Sequence, residues 1–224
     1  VPGGSVRKLV ASNFGLALDA DGVVHAIMGE AYGLSSPPQG PFVDVGVSEV
    51  AAFAIRPDGT AVAWGGTNSG ELNVPPGLWR MITGGTYWSV GIHQDGTLEA
   101  WGADVLGSGV LHTPAGAFIS AAGSGYCTGV AVRVDGALVA WGDDRLGYGI
   151  INVPQGTFTK VAAVPSYAMA LRSDGSIAVW SSRIPNPSLL NPPPGPFIDL
   201  VAGWSYAAAQ RPDGRWVVWG DCGG

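Results

Sequence analysis

The sequence predicts an all-β chain folded as a six-bladed β-propeller. Three recurring features carry that expectation. An Asp-Gly pair occurs at 21–22, 58–59, 95–96, 135–136, 174–175 and 213–214, at spacings of 37, 37, 40, 39 and 39 residues. A large apolar residue follows on the same phase, at Met28, Trp64, Trp101, Trp141, Trp180 and Trp219. A bend ending in Gly, usually containing Pro, stands at Gly4, Gly40, Gly77, Gly116, Gly156 and Gly195, shortly before Val6, Phe42, Trp79, Phe118, Phe158 and Phe197. A catalytic motif normally occurs once, whereas a phrase that returns six times marks an architectural unit.

Each unit reads as four elements. Strand A follows the bend, as in Phe197-Ile198-Asp199-Leu200-Val201-Ala202. Strand B carries a small residue four positions before the Asp, at Ala17, Ala54, Gly91, Ala131, Ala170 and Ala209, which suits a crowded inner region. Asp-Gly then predicts a two-residue type I′ hairpin into strand C. The Trp that ends strand C fits the wedge between neighbouring blades, where a large apolar body is buried. A loop rich in Gly, Asp and Ser leads to a short strand D. The units fall at about 1–36, 37–73, 74–112, 113–152, 153–190 and 191–224 and form one domain. The sixth unit stops after strand C, which predicts a blade without its own strand D: either three-stranded, or completed by further residues, or covered at its edge by another chain. No segment has a convincing 3.6-residue apolar period, and little shows clean alternation, as in sheets packed on both faces.

Composition narrows the function. Only 12% of the 224 residues are charged, 46% are hydrophobic, and mean hydropathy is +0.25. The longest segment free of Asp, Glu, Lys and Arg, 105–132, is broken by Gly107, Gly109, Pro114 and Gly116, so no membrane insertion is expected. The net charge of −6, with Lys8 and Lys160 the only lysines, argues against nucleic acid. Few lysines and rigid β-structure suit an exported, extracellular protein. Cys127 and Cys222 lack metal spacing and read as two separate thiols or one bridge.

The repeated phrase Asp-Gly-x-x-Val-Ala-Trp-Gly-Asp, followed by Val-Pro-x-Gly, resembles the RCC1-type repeat superfamily. Its wording is similar to the bacterial branch that contains β-lactamase inhibitory protein II. The resemblance runs through all six units, although those relatives typically have seven blades. It implies a non-catalytic propeller that grips a partner protein, such as an enzyme to be inhibited, with aromatic loop residues of one face.

Strand direction alternates within a blade, so the A–B and C–D loops share a face. The monotonous hairpins and Pro bends share the other. The variable loop face is where specificity is expected. By position, the resemblance points to Tyr87, Trp88, Tyr126, Trp204 and Tyr206, with Arg145 and Arg183 as polar contacts. Phe14, Tyr32, Asp144 and Tyr167 stand in or beside the same loops and complete the expected partner-binding set. Aromatics and Arg are what protein-binding hot spots favour.

Catalysis finds little support. His25, His93 and His112 are scattered, Asp143-Asp144 reads as a solvated turn, and no phosphate loop, nucleophile elbow or HExxH motif occurs. No cofactor is expected. The alternatives to protein binding are a lectin, whose Tyr and Trp rings would stack on glycans, and an assembly module joined at the unfinished sixth blade. The oligomeric expectation is a monomer or an edge-mediated oligomer.

Overall fold

A computed structural model describes residues 5–12, 14–28, 33–66, 69–184 and 186–221. These form a six-bladed propeller of six three-stranded antiparallel sheets, each ordered A-B-C. The A strands are β1 (Val6–Ala11), β4 (Asp44–Val47), β7 (Trp79–Gly84), β10 (Phe118–Ser124), β13 (Phe158–Val164) and β16 (Asp199–Ala202). The B strands are β2 (Gly15–Asp19), β5 (Ala51–Ile55), β8 (Trp88–His93), β11 (Thr128–Arg133), β14 (Tyr167–Arg172) and β17 (Tyr206–Gln210). The C strands are β3 (Val24–Met28), β6 (Ala61–Gly65), β9 (Leu98–Gly102), β12 (Leu138–Gly142), β15 (Ile177–Trp180) and β18 (Trp216–Gly220).

The hairpin turns differ from the expected two-residue type. The Arg56 N–H donates to Thr60 O (2.8 Å), the Gly59 N–H donates to Arg56 O (2.9 Å), and Gly59 sits at φ +87°. This is a three-residue loop, a type I turn closed by a left-handed Gly. The aspartate explains the preference, because Asp58 Oδ1 accepts the Thr60 N–H at 2.9 Å and replaces the missing ladder bond. Asp95, Asp135, Asp174 and Asp213 accept the N–H two residues on in the same way.

Strand D is also corrected. Among the described residues no sheet has a fourth strand, and blade 6 is built like the other five. The segment after strand C runs through turns, including a 3-10 turn at Pro187–Leu190. Its carbonyls serve the next blade instead. The indole N–H groups of Trp64, Trp101, Trp141, Trp180 and Trp219 donate to Leu34 O, Glu71 O, Val110 O, Ile150 O and Leu189 O, at 2.7–3.4 Å. Each Trp thus occupies the inter-blade wedge the sequence predicts. Packing is the larger contribution, since losing a buried Trp side chain costs about 3–5 kcal/mol and a hydrogen bond about 1.

A second link repeats at the other end of the blades. The N–H of Phe42, Trp79, Phe118, Phe158 and Phe197 donates to the turn glycine of the preceding blade, at 2.8–2.9 Å. These rings pack on the small strand B residues, so Phe42 shares a cluster with Ala54, Phe118 with Ala131, Phe158 with Ala170 and Phe197 with Ala209. The core is therefore a set of wedges between blades 1–2, 2–3, 3–4, 4–5 and 5–6.

Strand A is innermost, and the A strands of all six blades line an axial channel of about 90 Å³. Glycines allow this approach: a Cβ on Gly46 would lie 1.7 Å from Ile82 O, and one on Gly123 would lie 2.4 Å from Gly84 C. Cys127 is a buried free thiol whose pKa burial raises, and Cys222 lies outside the described residues.

Candidate functional site

The two faces differ as the loop sequences predict. On the hairpin face the residue ending strand B caps the aromatic that opens strand A. Arg133 lies over Phe118 (5.1 Å), Arg172 over Phe158 (4.8 Å) and Arg211 over Phe197 (5.1 Å), while His93 stacks on Trp79 (3.9 Å). The histidines pair separately: His25 Nε2 lies 2.7 Å from Asp19 Oδ2, and His93 Nε2 lies 2.8 Å from Glu99 Oε2.

The loop face carries a groove of about 1120 Å³ over blades 4, 5 and 6. One wall comes from A–B loops, with Tyr126, Pro165, Ser166, Trp204 and Ser205. The other comes from C–D segments, with Leu146, Tyr148, Asn186, Pro187, Ser188, Gly220 and Asp221. Trp204 is 50% exposed and Leu146 is 37% exposed, so the groove offers apolar surface to a visitor. Local structure holds this rim in place. Asn186 Oδ1 accepts from the Ser188 N–H (3.0 Å) and hydroxyl (2.7 Å), fixing the 3-10 turn. The Ser205 hydroxyl donates to Asp221 O at 3.1 Å.

The expected contact residues divide into four groups. Tyr126 and Trp204 line the groove. Tyr87 and Tyr206 are half-buried beside it. The Tyr87 and Tyr126 rings lie 5.5 Å apart, and the Tyr206 ring fills the space above Gly203, where a Cβ would fall 2.5 Å from its Cζ.

Phe14, Trp88 and Tyr167 are corrections, because all three are buried and unavailable to a partner. They stand at equivalent positions where strand B begins, and their side chains point into the wedge rather than up into the loop. The Trp88 indole N–H donates to Gly125 O of the next blade at 3.0 Å. The Tyr167 hydroxyl shares its one proton between two carbonyl acceptors, Gly203 O at 2.8 Å and Tyr206 O at 2.9 Å, and burial pushes its pKa up. They tie neighbouring A–B loops together beneath the surface.

The polar candidates serve mainly the loops. Asp144 Oδ1 accepts the Gly149 N–H at 2.8 Å and shapes its turn. Arg145 pairs with Asp143, and its guanidinium also donates to Leu106 O and, at 3.3 Å, to Gly107 O, joining blade 4 to blade 3. Arg183 is exposed beside Gly147. Tyr32 lies outside the described residues.

Glu49 was not among the expected contacts. It lines both the groove and the channel, and its Oε1 is buried with no hydrogen-bond partner among the described residues. Burial raises its pKa, partly opposed by the Thr86 hydroxyl nearby. Burial also raises the pKa of Tyr126, with Tyr87 and Glu49 adding to the effect. A positional signal for Glu49 exists in the sequence. Ser12, Glu49, Thr86, Tyr126, Pro165 and Trp204 all lie nine residues before a turn aspartate, and Glu49 is the one charge in that ring.

No protein-family model matches the chain, and no curated protein matches its sequence. Solved structures do match its fold. The ectodomain of the Physcomitrella patens receptor kinase CR4 aligns at TM-score 0.77 and 20% identity, covering 98% of this chain. This chain spans 63% of that ectodomain's length. The CRINKLY WD40 ectodomain of the Arabidopsis thaliana receptor kinase ACR4 aligns at TM-score 0.72 and 16% identity, covering 99% of this chain and 87% of that one. Prp20p from Saccharomyces cerevisiae, described with its binding properties to Gsp1p and histones, aligns at TM-score 0.63 and 15% identity, covering 97% and 70%. These likenesses establish the propeller fold.

Proposed function

We propose that the chain is a non-catalytic binding propeller that recognises a protein partner through the groove over blades 4–6. The observation that carries this reading is the groove's composition: half-exposed Trp204 and part-exposed Tyr126 and Leu146 above a rigid, mutually bonded set of loops. Large rings on a preorganised surface bury area at low entropic cost, which is how hot spots work. Prp20p, which shares the fold, is described as binding Gsp1p and histones, and this makes protein recognition a natural use for the scaffold. The non-catalytic part of this reading follows the resemblance of the repeated phrase to propellers that act by gripping a partner protein. The sequence phrase resembling the β-lactamase inhibitory protein II branch supports an inhibitory form of this function, directed at an enzyme.

The test is capture from the native source with wild-type protein beside a Tyr126→Ala/Trp204→Ala variant, followed by binding measurements on the purified partner. Two hot-spot truncations are expected to weaken binding by about 100-fold or more. Equal binding by both forms contradicts the groove. Trp204 beside Asn186 also favours one second reading, a glycan stacked on the indole, and glycans retained across unrelated carrier proteins would select it.

A further inference from the structure

The channel and the groove meet at Glu49, and the chemistry of that junction is asymmetric. At the hairpin end of the channel stand two lysines, each already paired: Lys8 with Asp44 (2.5 Å) and Lys160 with Asp199. At the loop end stands Glu49, with no Lys or Arg among the groove-lining residues. Its Oε1 and the neighbouring Thr86 hydroxyl oxygen are both buried outside hydrogen-bond geometry with any described residue, the hydroxyl coming close enough only to oppose in part the effect of burial on the carboxyl. A buried carboxylate oxygen so weakly satisfied is costly, and a donor or cation brought to it is correspondingly favoured. Between the two ends the wall is mainly apolar, with Val10, Val47, Ile82, Ala122, Val161 and Leu200.

We propose that this junction is a receptor for one basic side chain, Lys or Arg, that the protein partner projects into the channel mouth. The inference rests on the protein-binding reading above and names the chemistry the groove selects. Of the two carboxylates lining the groove, Glu49 and Asp221, only Glu49 also lines the channel, and the rings of Tyr126 and Tyr87 lie nearby. The apolar wall accepts the methylene stem, while about 90 Å³ of space excludes any folded element. The paired lysines lie about four strand residues deeper, roughly 13 Å away, and set how far a positive charge can travel. Other occupants fit less well. A calcium or magnesium ion takes about six or more oxygen ligands, a number that one carboxylate and one hydroxyl do not approach, and zinc favours the His and Cys ligands that the groove lining lacks. An anion meets Glu49, and an apolar side chain leaves it unpaired.

The experiment is a two-dimensional amide NMR titration of the full chain with n-butylammonium and n-butylguanidinium, beside neutral pentan-1-ol. The expected result is millimolar binding of the cations, with shifts centred on Glu49, Thr86, Gly125 and Tyr126, and none from the alcohol. Glu49→Gln is expected to weaken binding at least about tenfold, equivalent to 1.4 kcal/mol. Should that variant perturb the fold, Glu49→Asp retracts the carboxylate by one methylene and is expected to weaken binding by a similar factor. Absent shifts, shifts mapping elsewhere, equal response to the alcohol, or full binding by both variants each overturn the receptor. The probes contain nothing else of a partner, so the two proposals fail separately. A purified partner held equally by wild type and Glu49→Gln removes the receptor and leaves the groove, whereas cation binding without any captured partner does the reverse.

Discussion

At the residue scale, the repeat makes one substitution pattern interpretable. Five units place Ala on strand B four residues before the turn Asp, and the third places Gly91 there, paired in register with Ile82 and lying against the ring of Trp79. A Cβ on Gly91 would lie 2.3 Å from the Trp79 ring, so the glycine is the complement of the larger indole. Gly91→Ala is therefore expected to destabilise by about 1–3 kcal/mol through overpacking. Adding Trp79→Phe, which rebuilds the Phe and Ala pair of blades 2, 4, 5 and 6, is expected to recover at least about 1 kcal/mol in denaturant unfolding. Additive losses contradict the pairing. The turn aspartates make a second prediction. The Thr60 hydroxyl, the Thr97 N–H, the Ser176 hydroxyl and the Arg215 guanidinium lower the pKa of Asp58, Asp95, Asp174 and Asp213 below the ordinary 3.8. A carboxylate whose folded pKa is depressed stabilises the fold above its unfolded pKa and loses that contribution as pH falls through the folded value. The melting temperature is expected to decline below about pH 3.8, and Asp95→Asn/Asp174→Asn to flatten that decline. An unchanged acid limb in the variant tells against the turns as its source. What the sequence left hidden at this scale was side-chain direction. Trp88 and Tyr87 are adjacent, yet one is buried and the other reaches the rim, because strand B begins between loop and wedge and the sequence carries no marker for that step.

At the element scale, the blades were legible because their markers are local. Asp-Gly, the strand C Trp and the bend before each aromatic all act within one unit or on the next one. The turn type was not legible, since Asp-Gly serves both the two-residue hairpin and the three-residue loop observed here. Strand D failed for a related reason: its backbone carbonyls accept indole N–H groups across the wedge, a competition between side chain and ladder that local propensity does not show. The wedges also set an order of stability. Hydrophobic clusters join blades 1–2 through 5–6, and among the described residues none joins blade 6 to blade 1. There β1 and β16 approach along the axis, and the sequence carries Met28 where the other five blades carry the strand C Trp. Native-state hydrogen exchange is expected to show β1 and β16 opening at lower free energy than β8, β11 and β14, whose side chains fill the central wedges. Uniform protection around the ring runs against this order.

At the scale of the whole molecule, a six-fold scaffold supplies repetition and the loops break it. The hairpin face repeats one capping scheme of Arg or His over an aromatic ring, while the loop face collects different residues at one repeated position. Of the expected contact set, Tyr126 and Trp204 converge on the groove, Tyr87 and Tyr206 flank it, and Arg145 is occupied in holding two loops together. That convergence depends on which blades neighbour one another across the axis, a global property that residue types alone do not reveal. The proposed function requires that this groove, and no other part of the surface, receive the protein partner. The most direct measurement is the dissociation constant of the purified partner for wild type, for Tyr126→Ala/Trp204→Ala, and for a hairpin-face variant such as Leu78→Ser. A loss of about 100-fold or more is expected for the groove variant and no change for the hairpin-face variant. The reverse pattern, or equal affinity for all three, contradicts the proposed function.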